Sequence, residues 1–465
     1  MKPSILTPLS VALTIALAGC ATGPQNATPD TPMQPAFKEA PPGWLVAAPA
    51  DALDRGAWWT LFGDPQLDAL AQRVQVSNQN IAAALAAVDQ AQALVREQRA
   101  ALFPQVGLDA GATRSGGNGS TGNRYQVSVG ASWAPDLWGR LRGSTEAAGF
   151  RAQATEADLA TARLALTGDL AASYFSLRAT DAARELLRTT IEGYQRSLQI
   201  AHNRYDAGVV PKSDPLQAQT QLANAQAELA GLEGNRAQLE HAIAVLAGEA
   251  PGNFNLPPTP WTAGPLPAVP LGLPSALLQR RPDVAAAERR VAAANAQIGV
   301  ARAGYFPDLL LSASTGVSAV RLADLFSANV WSLGLSLAQT VFDAGATGAR
   351  VDEAGAAWAQ SVAQYRQTVL EAFRDVEDQL AVNRALEQQY ALRQLASQAA
   401  DQTEQQVLNR YNAGQVGYSE VVIAQVSALS ARRALAEITA SRQTAAVALI
   451  QALGGGWQAE PRSTP

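Results

Sequence analysis

Few side chains in this sequence are equipped for chemistry. Its 465 residues include one cysteine and two histidines. His202 and His241 fall in long helical stretches and read as surface or groove residues rather than catalysts. Cys20 stands alone, which excludes an intrachain disulfide or a thiolate metal site. Gly117, Gly119 and Gly122 spell G-x-G-x-x-G. That motif cradles a dinucleotide where it joins a strand to a helix, whereas here alternating strands flank it and it reads as a hairpin loop. No P-loop appears, so the chain has no visible engine of its own. What remains is carboxylate chemistry. RYDAGVVPKSDPLQAQ from Arg204 and RYNAGQVGYSEVVIAQ from Arg410 each place an acid directly after a serine, Asp214 and Glu420. An acid in a first helical turn suits the macrodipole. The same carboxylates, multiplied by symmetry around a narrow opening, would raise one another's pKa and attract cations.

The elements that position these acids are written twice. NQNIAAALAAVDQAQALVREQRAALFP from Asn78 pairs with RPDVAAAERRVAAANAQIGVARAGYFP from Arg281. Phe103 and Phe306 lie 203 positions apart, and Tyr205 and Tyr411 lie 206 apart. Residues 61–262 and 263–455 therefore form two repeats with one order of parts: a helix ending at Phe-Pro, two strands, a very long helix, the RY-x-A-G break and a returning helix. The strands are expected over about 105–114, 124–133, 308–317 and 329–338. The long helices are expected over about 140–205 and 345–411, and the returning ones over about 214–248 and 418–453. The repeated phrase is the reversal of each helical hairpin. Gly208 and Gly414 suit left-handed C-cap positions, Ser213 or Asp214 is expected to cap the helix going back, and Pro215 fits an early helical position.

In the strands, Tyr125, Val127, Val129, Ala131 and Trp133 alternate with Gln126, Ser128, Gly130 and Ser132, and Trp331, Leu333, Leu335 and Leu337 alternate with Ser332, Gly334 and Ser336. One face is apolar and the other small and polar. Segments of about ten residues suit tilted strands crossing a bilayer. Four strands cannot close a barrel, and an open edge in lipid leaves backbone groups unpaired at several kcal/mol each. Three copies would supply about twelve strands around an open lumen. A proline-free run of about 65 residues spans roughly 100 Å as a helix, a shaft rather than a membrane span. Val362, Tyr365, Val369, Phe373, Val376 and Leu380 give it a coiled-coil-like seam.

Formal charge is a mild −5, which offers no footprint for nucleic acid. Lys2, the apolar stretch from Ile5 to Ala18 and the small residues after it read as an export signal over 1–19. Leu17-Ala18-Gly19-Cys20 resembles the bacterial lipobox, which implies a covalent lipid on Cys20 and no other cofactor. Residues 20–60 read as a Pro-rich extended tether, and 456–465 as a C-terminal tail.

Taken in order, LAGC, the DPQL of Asp64 to Leu67, both Phe-Pro pairs, PDLWGR from Pro135, LLQRRPDVAAAE from Leu277 and both RY-x-A-G turns resemble the outer-membrane efflux protein family, the TolC-like channels, and within it the lipidated NodT/OprM-like branch. The resemblance implies a mainly α homotrimer in the outer membrane of a Gram-negative bacterium. A 12-stranded β-barrel, four strands per chain, would continue into a periplasmic α-helical barrel. It also implies docking, at the helical tips, to a periplasmic adaptor bound to an inner-membrane pump, with Arg204, Tyr205, Gly208, Arg410 and Gly414 facing the adaptor. Gate residues carry over one at a time. Asp214 matches an aspartate that helps hold TolC closed, and Tyr411 matches its tyrosine partner. Val416 stands where the family has a latch arginine. Glu420 matches the first acidic ring, while Ile423 stands at the second. The function implied is an efflux exit duct without enzymatic activity, for drugs or other small toxic compounds. Type I secretion and metal efflux use similar ducts. A stand-alone porin and a lipid-anchored coiled coil without a lumen are the readings from other classes.

Overall fold

A computed structural model describes residues 37–39, 57–117, 120–259, 261, 263–267 and 280–455. Cys20, the export signal and the C-terminal tail lie outside the described residues. In chain order the elements are α1 (Pro65–Ser77), α2 (Gln79–Ala100), β1 (Gln105–Gly117), β2 (Ser120–Trp133), α3 (Arg140–Asp206), α4 (Ser213–Leu246), α5 (Pro282–Ala303), β3 (Asp308–Ala319), β4 (Asn329–Ala338), α6 (Ala346–Asn412) and α7 (Tyr418–Ala452). The helices α3 and α6 have 67 residues each. β1 and β3 run beyond the expected ends at 114 and 317. Pairing of β1 with β2 continues through Ser115↔Gly122 to Gly117↔Ser120, because a backbone ladder forms regardless of the small side chains it carries.

The chain divides into two compact units that do not follow the repeats; each takes residues from both. One holds 85–158 and 283–368, including the sheet. Its strands are antiparallel in the order β1-β2-β3-β4. The register places Val129 beside Leu108 and Thr315, and Leu335 beside Leu311, so Leu108, Val129, Leu311 and Leu335 share one face. That face is open: Leu108, Trp331, Leu333 and Leu335 are each about 70% or more exposed. The opposite face carries Ser128, Gly130, Ser312, Gly316 and Ser332. At the foot of the sheet Trp138 stacks on Phe306 at 4.8 Å, and its Nε1 donates to Pro307 O at 2.7 Å. These contacts give the Phe-Pro pair of the second repeat its place.

The other unit takes 33–84, 159–282 and 369–465. Asp64 caps α1, accepting from the Gln66 and Leu67 N–H groups, and Pro65 follows at the first helical position. Leu67, Leu70, Ala71 and Val74 recur at helical spacing and are buried. Buried charge organises the neighbourhood. Asp181 accepts from Arg178 at 3.1 Å and from Arg236 at 2.7 Å, while Arg178 also reaches Gln66 and Pro257 O. Arg236 bonds Leu256 O and Glu240, so every buried charge here has a partner. The repeats also finish their returning helices alike. Asn78 Nδ2 donates to Leu246 O at 2.7 Å, and Arg281 Nη1 donates to Ala452 O at 3.2 Å, supplying carbonyls that a helix end leaves open.

Candidate functional site

The two RY-x-A-G turns end α3 and α6 with one geometry. Gly208 has φ +68° and Gly414 has φ +72°, a region where glycine carries no Cβ penalty. Val209 N–H donates to Arg204 O and Gly208 N–H to Tyr205 O, both at 2.9 Å. Gln415 N–H to Arg410 O and Gly414 N–H to Tyr411 O repeat these bonds at the same length. This is the Schellman arrangement, with the left-handed residue at C′.

Beyond the glycines the two turns diverge. Tyr205 is exposed, whereas its counterpart Tyr411 is buried. Tyr411 meets Tyr418 edge-on at 5.5 Å, in a cluster with Ala201, Ala218 and Val421. Val416, half-buried, packs against that cluster instead of holding a charge. Arg204 lies over the Tyr411 ring at 4.5 Å, with Nη1 donating to Tyr411 O at 3.1 Å and Nη2 to Asn412 O at 3.2 Å. Arg204, expected at the adaptor-facing tip, clamps one hairpin to the other. Its counterpart Arg410 is exposed. Burial, with the neighbouring Tyr411 adding to it, pushes the Tyr418 hydroxyl up to about 12.

The expected caps are absent. Lys212 precedes α4 in a helical conformation, and neither Ser213 nor Asp214 caps it through a side chain. The tight turn explains this: Asp214 N–H already bonds Pro211 O at 3.1 Å, and Ser213 Oγ turns to Asp214 Oδ1 at 3.3 Å. Pro215 is buried in the first turn. Asp214 itself is half-buried and Glu420 is exposed in the first turn of α7. Ile423, one turn on, is also exposed, so Glu420 and Ile423 share an open face. Tyr411 and Asp214, paired by the resemblance, are not bonded to each other; the Tyr411 hydroxyl is buried and has no hydrogen-bond partner among the described residues. Tyr418 was missed in the sequence. Its signal lies in the aligned phrases, where an aromatic stands in the second and Lys212 in the first.

Both repeats match the description Outer membrane efflux protein, over residues 70–249 and 273–455. The chain belongs to the outer membrane efflux protein family. A relative from Pseudomonas aeruginosa, the pyoverdine export outer membrane protein OpmQ, is 32% identical over 90% of this chain and 92% of its own. The cation efflux system protein CusC of Escherichia coli K12 is 30% identical over 98% of this chain and all of its own. Among solved structures, the outer-membrane channel OprN superposes with TM-score 0.84 at 30% identity, covering 95% of this chain and 100% of OprN. The fold is thus TolC-like, and the place of this efflux protein is the outer membrane. Among its described residues no helix is long and apolar enough to cross a membrane, and no group of histidine, cysteine and carboxylate side chains could hold a metal.

Proposed function

We propose that this efflux protein is the passive exit duct of a tripartite system and that it works as a homotrimer. The observation that carries this reading is the sheet: four strands with an exposed apolar face and an unpaired backbone edge on β1 and on β4. Such a sheet suits lipid only when other copies complete it. Twelve strands would leave the small polar face, with Ser128, Ser312 and Ser332, around a water-filled path. The helical hairpins meet a periplasmic adaptor at their tips through Arg410, Tyr205 and the two turn glycines, and an inner-membrane pump supplies the energy. Asp214 and Glu420 from three copies form the acidic entrance, and Tyr411 with Val416 shapes its wall. A lipid on Cys20 anchors the mature N-terminus.

Drugs and other small toxic compounds are the proposed cargo. The curated relatives include pyoverdine export, cation efflux and toluene efflux proteins, so the family leaves the class of cargo open. With two methionines and two histidines in the whole sequence, a route built on soft or imidazole ligands for metal ions has little to work with.

The test is conductance of the purified protein in a planar bilayer. Glu420→Cys and Asp214→Cys are each expected to lower cation preference, and a bulky thiol reagent at Glu420→Cys to block current. Unchanged conductance and selectivity in both variants would remove the acidic entrance from the proposal. Absence of any channel in the unaltered protein would remove the duct.

A further inference from the structure

The far end of the sheet, where β1 turns into β2 and β3 into β4, carries a charge pattern that passage through a duct does not require. Residues 111–126 and 317–330 hold three cations, Arg114, Arg124 and Arg321, against one acid, Asp324, although the whole chain carries −5. At the foot of the sheet the arginines are paired: Arg140 lies 3.5 Å from Asp308, and Arg142 lies 3.1 Å from Asp136. At the far end all three are exposed, and none has an acidic partner among the described residues.

The register separates these arginines by face. Arg114 pairs with Asn123, and counting back by twos reaches Ala112, Ala110 and Leu108, so Arg114 and Asn123 stand on the apolar side. Arg124 pairs with Thr113 and stands on the small polar side. Pairing of β2 with β3 reaches Tyr125↔Ala319; Asn123 and Arg321 each lie two residues past that pair. Arg321 is still extended there, with φ −119° and ψ 140°. Arg114, Asn123 and Arg321 therefore follow one another across three neighbouring strand ends. Ten residues of β2 separate Asn123 from Trp133, about 33 Å along the strand and about 25 Å of height at a tilt of about 40°. That is the height of a lipid-facing band, so the row stands where hydrocarbon gives way to headgroups. Beyond it the β3–β4 connection is amphipathic: Leu322 is 65% exposed and Phe326 83%.

We propose that Arg114 and Arg321, with Asn123 between them, bind a phosphorylated glycolipid of the outer leaflet, a site that rests on the outer-membrane duct proposed above. The outer face of such a membrane is built of glycolipids that carry phosphates at both ends of a disaccharide head. Two strand spacings, about 10 Å, separate Arg114 from Arg321, close to the length of a disaccharide. Each guanidinium fork matches one phosphate in a bidentate pair. Tyr125, on the apolar side just below the row, and the exposed Leu322 and Phe326 offer surface to acyl chains. Free phosphate would engage one arginine and leave that apolar frame unused. Arg124, next to Asn123 in sequence, faces the lumen side and lies outside the site.

Full-length protein in detergent, checked for conductance in a planar bilayer, is titrated with bis-phosphorylated lipid A, and bound lipid is counted by native mass spectrometry. Saturation at one lipid per chain is expected. Arg114→Gln with Arg321→Gln should weaken binding at least tenfold, and Arg124→Gln less than twofold. Dephosphorylated lipid A and phosphatidylglycerol should bind at least tenfold more weakly than bis-phosphorylated lipid A, and a tenfold excess of inorganic phosphate should not displace it. Displacement by inorganic phosphate would make the row a free-anion site and overturn the glycolipid. Equal binding of phosphatidylglycerol, or equal weakening by Arg124→Gln, would reduce the row to diffuse charge and overturn it too. A conducting protein that binds no lipid A overturns the site and leaves the duct standing. A protein that neither conducts nor binds overturns both.

Discussion

Arg204 shows how one residue can make two hairpins behave as a single tip. Its fork meets two carbonyls in the last turn of α6, where a helix runs out of its own N–H partners, and its flat face covers Tyr411. Hydrogen bonds from a charged donor contribute about 1.5–3 kcal/mol each, and the stack adds to them. Arg204→Ala is therefore expected to raise amide hydrogen exchange across Arg410 to Gln415 by tenfold or more. The rest of α6, held by its own ladder and packing, should keep its protection. Arg204→Lys should fall between, since an ammonium retains the charge but cannot meet two carbonyls and a ring at once. Equal exchange in all three proteins would mean that Tyr411 and Tyr418 hold the tip without the clamp.

At the scale of elements, each repeat uses left-handed glycines for two different tasks. At the tips nothing lies within 4 Å of a Cβ built on Gly208 or Gly414, so alanine there bears only the backbone penalty, about 1–2 kcal/mol. At the ends of the returning helices, a Cβ on Gly248 would stand 2.2 Å from Ser77 O, and one on Gly454 2.8 Å from Arg280 O. Gly248→Ala and Gly454→Ala are expected to destabilise the protein more than Gly208→Ala and Gly414→Ala, and Asn should partly rescue the tips alone, as read by denaturant midpoints in detergent. The tip glycines were legible because a turn signal interrupts a long helical pattern. So was the seam of α6, whose six residues at three-and-four spacing are all buried. Strand alternation likewise gave the two faces of the sheet. What the sequence concealed depends on partners far away in the chain. Arg178, Asp181 and Arg236 look like ordinary charged helix positions, and only Gln66 and the segment at Leu256 and Pro257 make them a buried network. Ser213 and Asp214 look like caps because the residue types are right. Whether they cap depends on the backbone before them, and Lys212 is already helical.

For the whole molecule, the decisive asymmetry is between the two faces of one sheet. Neighbouring residues on β4 have opposite expected environments: Leu333 on the exposed apolar face, and Ser332 and Gly334 on the other. A cation on a lipid-facing strand position costs about 2–4 kcal/mol at the bilayer midplane, while one facing a water-filled lumen costs little and alters selectivity. Leu333→Arg should therefore sharply reduce the fraction of chain that reaches the outer membrane as folded protein. Ser332→Arg, one position away, should insert and shift conductance toward anions. A soluble hairpin with a packed apolar face would treat the pair differently: Leu333→Arg would disturb folding with or without membrane, and Ser332→Arg would be silent. Comparing membrane fractions with refolding in detergent separates these outcomes, because in detergent the bilayer's demand is relaxed and only the folding demand remains.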